Sequence, residues 1–316
     1  MASFLIFSLF CTAALCISSS LAQASFRPKA LVLPVTKDSS TLRYPTRINQ
    51  RTPLVPVSLT LDLGGQFLWV DCEKGYVSST YHPARCRSPQ CNLAGLTACV
   101  VSTNTCGLTP DNAIIRTATF GDLGSDIVSF QSTDGKKPGR VVSQPNFLFV
   151  CSPTFLLEGL AAGVKGMAGL ASAYTEGDAS SEYFIRVKSI KINEKVVPLN
   201  TNLLSINKTD GYGGTKISTV NPFTVLETSI YNAVVKAFVN QLSGIPRVAS
   251  VAPFGACFSS KNIGGTRVGP AVSQIDLVLQ NESVYRRIFG ANSMVQSAVS
   301  AIVDRTYYTL NAAQLL

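Results

Sequence analysis

The stretch SLTLDLGGQFLWVDC, residues 58–72, decides how this chain is read. Val57, Leu59 and Leu61 alternate with Ser58, Thr60 and Asp62, the period-two pattern of a half-buried strand. Leu63-Gly64-Gly65 turns the chain, and Phe67-Leu68-Trp69-Val70 starts a second strand at once. The carboxylate of Asp62 therefore stands at a tight corner, where glycines let two backbones approach closely. Such a corner suits a catalytic acid, yet an aspartate before glycines is also an ordinary turn residue.

Working outward, composition narrows the class. The 316 residues suffice for one large domain or two lobes, and 46% hydrophobic content is ample for a core. Only 14% of residues are charged, while Val, Ser, Thr, Gly and Pro abound, which favours a mostly β protein and argues against disorder.

Residues 1–24, MASFLIFSLFCTAALCISSSLAQA, combine an apolar run with Ala22-Gln23-Ala24, the small-residue pattern of a secretory cleavage site. The expected signal lacks the usual basic residue at its start. A membrane anchor is the competing reading, but Ser18-Ser19-Ser20 interrupts the run and no basic cluster follows it directly. The mature chain is expected to begin near Ser25.

Of nine cysteines, Cys11 and Cys16 leave with the signal. Cys72, Cys86, Cys91, Cys99 and Cys106 crowd a loop-like region, with Cys151 and Cys257 beyond it, which in a secreted chain reads as a disulfide framework of undetermined connectivity. Zinc is a weak competitor because His82 is the only histidine, so no metal and no cofactor is expected. Seven is odd, and isolated Cys257 is the thiol expected to lack an intrachain partner. The net charge of +9 favours an anionic polysaccharide or an acidic partner protein. The basic residues are scattered, as at Lys136-Lys137, Lys188, Lys191, Lys195 and Arg286-Arg287, without the aromatic interleaving of a nucleic-acid site.

Ala30 to Val35 reads as an N-terminal strand. ATFGDLGSDIVSF, within 114–130, reads as a hairpin turning at Gly-Asp-Leu-Gly, and 141–151 as a further strand pair. GVKGMAGL, residues 163–170, has a loose phosphate-loop spacing with no helical pattern behind it. A small, polar run at 171–181 reads as a linker. Strands return over 182–217, a second glycine-led corner lies in GYGGTKISTVNPFT (211–224), and 225–242 has apolar residues at helical spacing. A strand-corner element thus occurs once in each half.

The two corners, one in LGGQFLWVDC (63–72) and the other in GGTKISTVNPFTVLETSIY (213–231), resemble the pepsin-like aspartic protease architecture. With FRPKALVLPVTKDSSTLRY (26–44), VSSTYHPARCRSPQC (77–91), EYFIRVKSIKIN (182–193) and RVASVAPFGACF (247–258), the chain more closely resembles the plant secreted, non-proteolytic branch of that fold. That branch holds extracellular dermal glycoprotein, basic 7S globulin and the xyloglucan-specific endoglucanase and xylanase inhibitors. The resemblance is dense over 26–170 and 182–294. It implies an all-β, bilobed fold: a disulfide-rich N-terminal lobe at 25–170, a shortened linker at 171–181 and an incomplete C-terminal lobe at 182–316.

Pepsin-like enzymes use two carboxylates sharing one proton, one as base on a water and the other as acid. In them each Asp precedes Thr or Ser and then Gly, and the two hydroxyls brace the pair. Here the first loop is Asp62-Leu63-Gly64 and the second is Ser218-Thr219-Val220, so Ser218 stands where the second Asp belongs. Phe120 is expected where the family carries a flap tyrosine. These three departures imply a dead site, with Asp62 a turn residue at the lobe interface. The inhibitory branch works, as the resemblance implies, by inserting C-terminal-lobe loops into a microbial glycoside hydrolase cleft. Arg267, in GGTRVGP, falls where relatives carry a loop arginine suited to the cleft's carboxylates; its alternative is a solvated loop cation.

The chain also departs from the branch. Relatives carry a longer segment between Leu170 and Ser181, and similarity stops after Met294, so the partner expected for Cys257 and a second arginine are missing. Exposed sheet edges are expected in consequence. Four functions compete: a secreted, wall-associated hydrolase inhibitor without protease activity, an aspartic endopeptidase, a basic 7S globulin-like storage or peptide-binding protein, and none through failure to fold. Sequons at Asn207 and Asn281 accord with secretion into the apoplast, and at least one is expected to be glycosylated.

Overall fold

A computed structural model of the chain describes residues 28–93, 98–170, 183–206, 213–252, 254–298, 306–310 and 312–314. The expected signal, the expected linker and Asn207 lie outside these residues. The N-terminal half carries β1 (Ala30–Val32), β2 (Pro45–Gln50), β3 (Val55–Asp62), β4 (Leu68–Asp71), β5 (His82–Pro83), β6 (Ala98–Val100), β7 (Thr105–Leu108), β8 (Asp111–Asn112), β9 (Thr117–Ala118), β10 (Gly121–Thr133), β11 (Pro138–Ser152) and β12 (Gly166–Gly169). The C-terminal half carries β13 (Tyr183–Ile185), β14 (Ser189–Ile192), β15 (Lys195–Val196), β16 (Thr215–Ile217), β17 (Thr224–Leu226), β18 (Arg247–Val248), β19 (Cys257–Ser259), β20 (Gly265–Thr266), β21 (Gly269–Pro270), β22 (Ile275–Val278), β23 (Tyr285–Ile288), β24 (Met294–Ala298), β25 (Thr306–Leu310) and β26 (Ala312–Gln314). One long helix, Thr228–Gln241, lies between β17 and β18.

In the N-terminal half a single sheet runs β11-β4-β12-β3-β2-β10-β7-β6. β3 and β4 follow each other in sequence but do not pair. β12 enters between them, parallel to β3 with Met167 beside Thr60, and antiparallel to β4 with Met167 beside Trp69. The insertion explains the glycines of GVKGMAGL: a Cβ on Gly169 would strike the carbonyl oxygens of Gly65 and Phe67, and one on Gly166 that of Trp69. The spacing of Gly166 and Gly169 is a packing requirement. Flanked on both sides, the end of β3 is buried on both faces, so Thr60 and Asp62 are as enclosed as Leu59 and Leu61. The alternation in the sequence marked the strand but understated its burial.

Two expectations are corrected. Gly121-Asp122-Leu123-Gly124 does not turn; it opens the 13-residue strand β10, where it pairs with β7 and β5. Residues 141–151 form no strand pair, but belong to the single 15-residue strand β11. In both, a glycine or proline tolerated in a long strand imitated a turn signal.

The core of this half gathers Trp69, Leu108, Leu123, Val150, Leu156 and Met167 around Cys91 and Cys106. Disulfides join Cys72 to Cys151, Cys86 to Cys99 and Cys91 to Cys106. The first ties neighbouring parallel strands, β4 and β11.

In the C-terminal half the helix expected over 225–242 forms over Thr228–Gln241, residues 225 and 226 belonging to β17 instead, with Ile230, Tyr231, Val234 and Phe238 buried along one side. The Glu227 carboxylate caps it, accepting from the backbone N–H of Ser229 at 2.8 Å and of Ile230 at 3.2 Å. That side packs on Ile190, Ile192, Phe258 and Met294. Two four-stranded sheets, β15-β14-β22-β23 and β18-β19-β25-β24, complete the core. Residues 294–298, 306–310 and 312–314 supply β24, β25 and β26. Exposed sheet edges are expected in this half, but β25 pairs with β19 and β26 runs parallel to β17, so those two strands are covered.

By internal contact density the chain resolves into two units, Met1–Val32 with Phe130–Val142, and Leu33–Ser129 with Ser143–Leu316. The smaller is the β1 strand and the β10–β11 turn, paired as Ala30 with Thr133 and Val32 with Gln131. The larger holds both cores.

Candidate functional site

Asp62 closes β3 and is buried. Its Oδ1 accepts from Gly64 N–H at 2.9 Å, and its carbonyl accepts from Leu170 N–H at 2.8 Å. A Cβ on Gly65 would lie 3.0 Å from Asp62 Oδ2, so only glycine lets the loop fold back over the carboxylate comfortably.

The second corner leaves β16 at Ile217. The Ser218 hydroxyl accepts from the backbone N–H groups of Val220 at 3.2 Å and Asn221 at 3.3 Å, closing its own turn. Thr219 does the long-range work. Its hydroxyl donates to the Leu61 carbonyl at 2.8 Å and accepts from Leu63 N–H at 3.2 Å, binding the two corners across 158 and 156 residues of sequence. Val220, just beyond it, is buried in the Trp69 core. A symmetrical arrangement would return a hydroxyl from position 63, and Leu63 has none. The bridge is therefore one-sided: the second loop contributes hydroxyls and an apolar anchor, and Asp62 is the one carboxylate in the two triplets.

Near this corner Trp69 Nε1 donates to the Asp111 carbonyl at 3.0 Å, at the base of the small hairpin β8–β9. Phe120 lies between β9 and β10, and a Cβ on Gly107 would overlap its half-exposed ring. Arg267 occupies the exposed two-residue turn between β20 and β21. Thr266 fixes that turn, its hydroxyl donating to the Gly269 carbonyl at 2.7 Å and accepting from Val268 N–H at 3.2 Å. The Val268 carbonyl anchors the tip by accepting from Ala291 N–H at 2.8 Å. Arg267 is thus presented on a rigid support of its own, unconnected with the Thr219 bridge. Asn281 lies exposed in the turn between β22 and β23, with Ser283 donating to its Oδ1. Cys257 is a buried free thiol. Among the described residues no cluster of three His, Cys, Asp or Glu could hold a metal, and no helix is long and apolar enough to cross a membrane.

The bracing role of Thr219, the burial of Val220 and a polar hub at Asp126 were missed in the sequence reading. Buried Asp126 accepts from Thr80 Oγ1 at 2.6 Å, Tyr76 Oη at 2.7 Å and Ser78 Oγ at 3.1 Å, and the Arg51 guanidinium lies 4.2 Å over the Tyr76 ring. Burial pushes the Asp126 carboxyl up, but these hydroxyl bonds outweigh it and hold the group below the usual range. The partners stand 46 to 50 residues away, beyond any local pattern. Thr219, by contrast, had a visible signal, since the resemblance set Ser218-Thr219-Val220 against the enzymes' Asp-Thr/Ser-Gly triplet.

Comparison with known proteins identifies the family. The Xylanase inhibitor N-terminal family matches residues 44–175, and the Xylanase inhibitor C-terminal family matches residues 182–302. A Nicotiana benthamiana protein named probable aspartic proteinase GIP2 is 56% identical over 359 aligned positions, covering 89% of this chain and 82% of its own. That alignment is longer than the 316-residue chain, so the relative carries segments absent here. The crystal structure of edgp superposes with a TM-score of 0.81 at 48% identity, covering 92% of this chain and 87% of that one. Basic 7S globulin from soybean superposes at 0.72 with 31% identity, covering 90% and 85%. With both halves matched and relatives of this identity aligned along most of its length, the chain belongs to the xylanase inhibitor family, on the pepsin-like all-β fold it shares with the basic 7S globulins.

Proposed function

We propose that this chain is a secreted, non-proteolytic binding protein that engages the cleft of a microbial glycoside hydrolase, of endoglucanase or xylanase type, in plant defence at the cell wall. The observation that carries this reading is the one-sided bridge. A shared-proton mechanism needs a second carboxylate opposite Asp62, and that loop presents Ser218 with its hydroxyl spent on its own turn. Retaining the scaffold without the dyad leaves binding as its use. Arg267 is the contact residue we assign: exposed, on a braced turn, with a fork suited to paired carboxylates in a hydrolase cleft. Three disulfides support secretion, as does a sequon at exposed Asn281. We also assign the lobes to 25–170 and 182–316, with the C-terminal one shortened relative to its relatives.

The test is inhibition of a xyloglucan-specific endoglucanase and of a xylanase by the purified chain, wild type against Arg267→Ala. Inhibition by the wild type that weakens at least about tenfold in the variant is expected, because a buried charge-assisted pair is lost. A soluble wild type that inhibits neither enzyme would overturn the reading. The endopeptidase alternative keeps one point in its favour, the buried carboxylate of Asp62. Cleavage of a protein substrate at acid pH, abolished by Asp62→Asn, would establish it.

A further inference from the structure

The smaller unit carries a charge pattern that the hydrolase reading does not use. Its described residues, 28–32 and 130–142, hold four cations, Lys29, Lys136, Lys137 and Arg140, against the single acid Asp134. Every residue from Asp134 to Arg140 is exposed, and so is Lys29. The backbone gathers them at one end. Ala30 pairs with Thr133, which brings Lys29 beside the turn; the Thr133 hydroxyl donates to the Lys137 carbonyl at 2.8 Å; and that of Ser132 donates to the Arg140 carbonyl at 2.6 Å. At the rise of a strand, Arg140 then lies within about 10 Å of the turn. Asp134 is occupied in shaping the tip. Its Oδ1 accepts from the backbone N–H groups of Lys136 at 2.7 Å and Lys137 at 2.8 Å, which hold its carboxyl below the usual range. Among the described residues Lys29, Lys136 and Lys137 form no ion pair.

We propose that this β1–β10–β11 tip binds an anionic polysaccharide, with Lys29, Lys136, Lys137 and Arg140 set against successive uronate carboxylates. Charge complementarity selects the class: like-sign cations spaced within one screening length attract a polyanion cooperatively. Lysines predominate, and as point charges without fork geometry they suit a repeating carboxylate more than a single bidentate ligand. No aromatic residue lies between Gln131 and Val142 to stack a base, and disulfides mark a compartment where nucleic acid is not the partner. The tip is already ordered by strands on both sides of β10, so little conformational entropy is lost on binding.

Binding of the full chain to polygalacturonate, measured at low and high salt, tests this without reference to any hydrolase. The wild type is expected to bind, weakening as salt rises, while Lys136→Glu/Lys137→Glu binds at least about tenfold more weakly. Lys236→Glu/Lys261→Glu, exposed elsewhere and equal in charge change, is expected to match the wild type. Circular dichroism checks that all three share one fold. Equal weakening by both pairs would make binding a matter of net charge and overturn the proposal. So would an unaffected Lys136→Glu/Lys137→Glu, a wild type that binds a neutral glucan equally well, or tighter tip-dependent binding to anionic vesicles or an acidic protein.

Discussion

The two halves of this molecule reach a packed core by different means. The N-terminal half commits most of its strands to one sheet and ties it with three disulfides, while the C-terminal half spreads its strands over several small sheets and depends on one helix to join them. Its one cysteine among the described residues, Cys257, is a buried thiol. The contrast teaches where each half is vulnerable: covalent loop closure limits what the unfolded N-terminal half gains, whereas the C-terminal half rests on burial alone.

Phe238→Ala should cost most, about 3–5 kcal/mol. The ring is fully buried and meets Phe258 edge-on at 6.4 Å between centroids. Hydrogen exchange should show protection lost over β14, β19 and the helix before β3 or β12; uniform loss would erase the distinction between halves. Replacing Cys91 and Cys106 together by alanine opens a 15-residue separation and should lower stability by about 3 kcal/mol. Thermal unfolding of the pair should fall between that of the wild type and that of the wild type in reductant, where all three bridges open. An unchanged melt would mean that the sheet, and not its staples, distinguishes the halves.

Asp126→Asn sharpens the comparison, because this hub belongs to the N-terminal half alone. At neutral pH it should cost about 1–3 kcal/mol through weakened charge-assisted bonds. The folded carboxyl titrates below its unfolded value of about 3.9. Its stabilisation is therefore complete above that value and is lost as pH falls through the lower folded one. Melting curves of wild type and variant should accordingly converge below about pH 4. Smallest of all, Thr219→Val removes the single hydroxyl between the corners and should cost about 1 kcal/mol, with Thr219→Ser retaining most of it by thermal melting. A larger loss would make the corners, and not the cores, what joins the halves.

Much of the fold was legible in the sequence because it rests on short-range regularity. The alternation before Asp62 announced β3, and the helical spacing of Ile230, Val234 and Phe238 announced the long helix. Where the reading failed, a local signal had a non-local cause. Gly121 and Gly124 imitated a turn inside β10, and the glycines at 166 and 169 imitated a ligand loop because a strand passes through a narrow gap. The site was half legible. Residue types at 62, 63 and 218 could be read directly, but the Thr219 bridge and the Asp126 hub join residues far apart and emerge only when the chain is folded.

The entry of β12 between β3 and β4 has a consequence for the order of assembly. During synthesis β3 and β4 leave the ribosome together, separated by one short loop, yet the strand that hydrogen-bonds both is made much later, at 166–169. Until then β3 and β4 lack the neighbour that pairs with both of them in the folded sheet. The N-terminal sheet therefore cannot be completed until these four residues are made, and its closure is a long-range pairing left to the end of the half's synthesis.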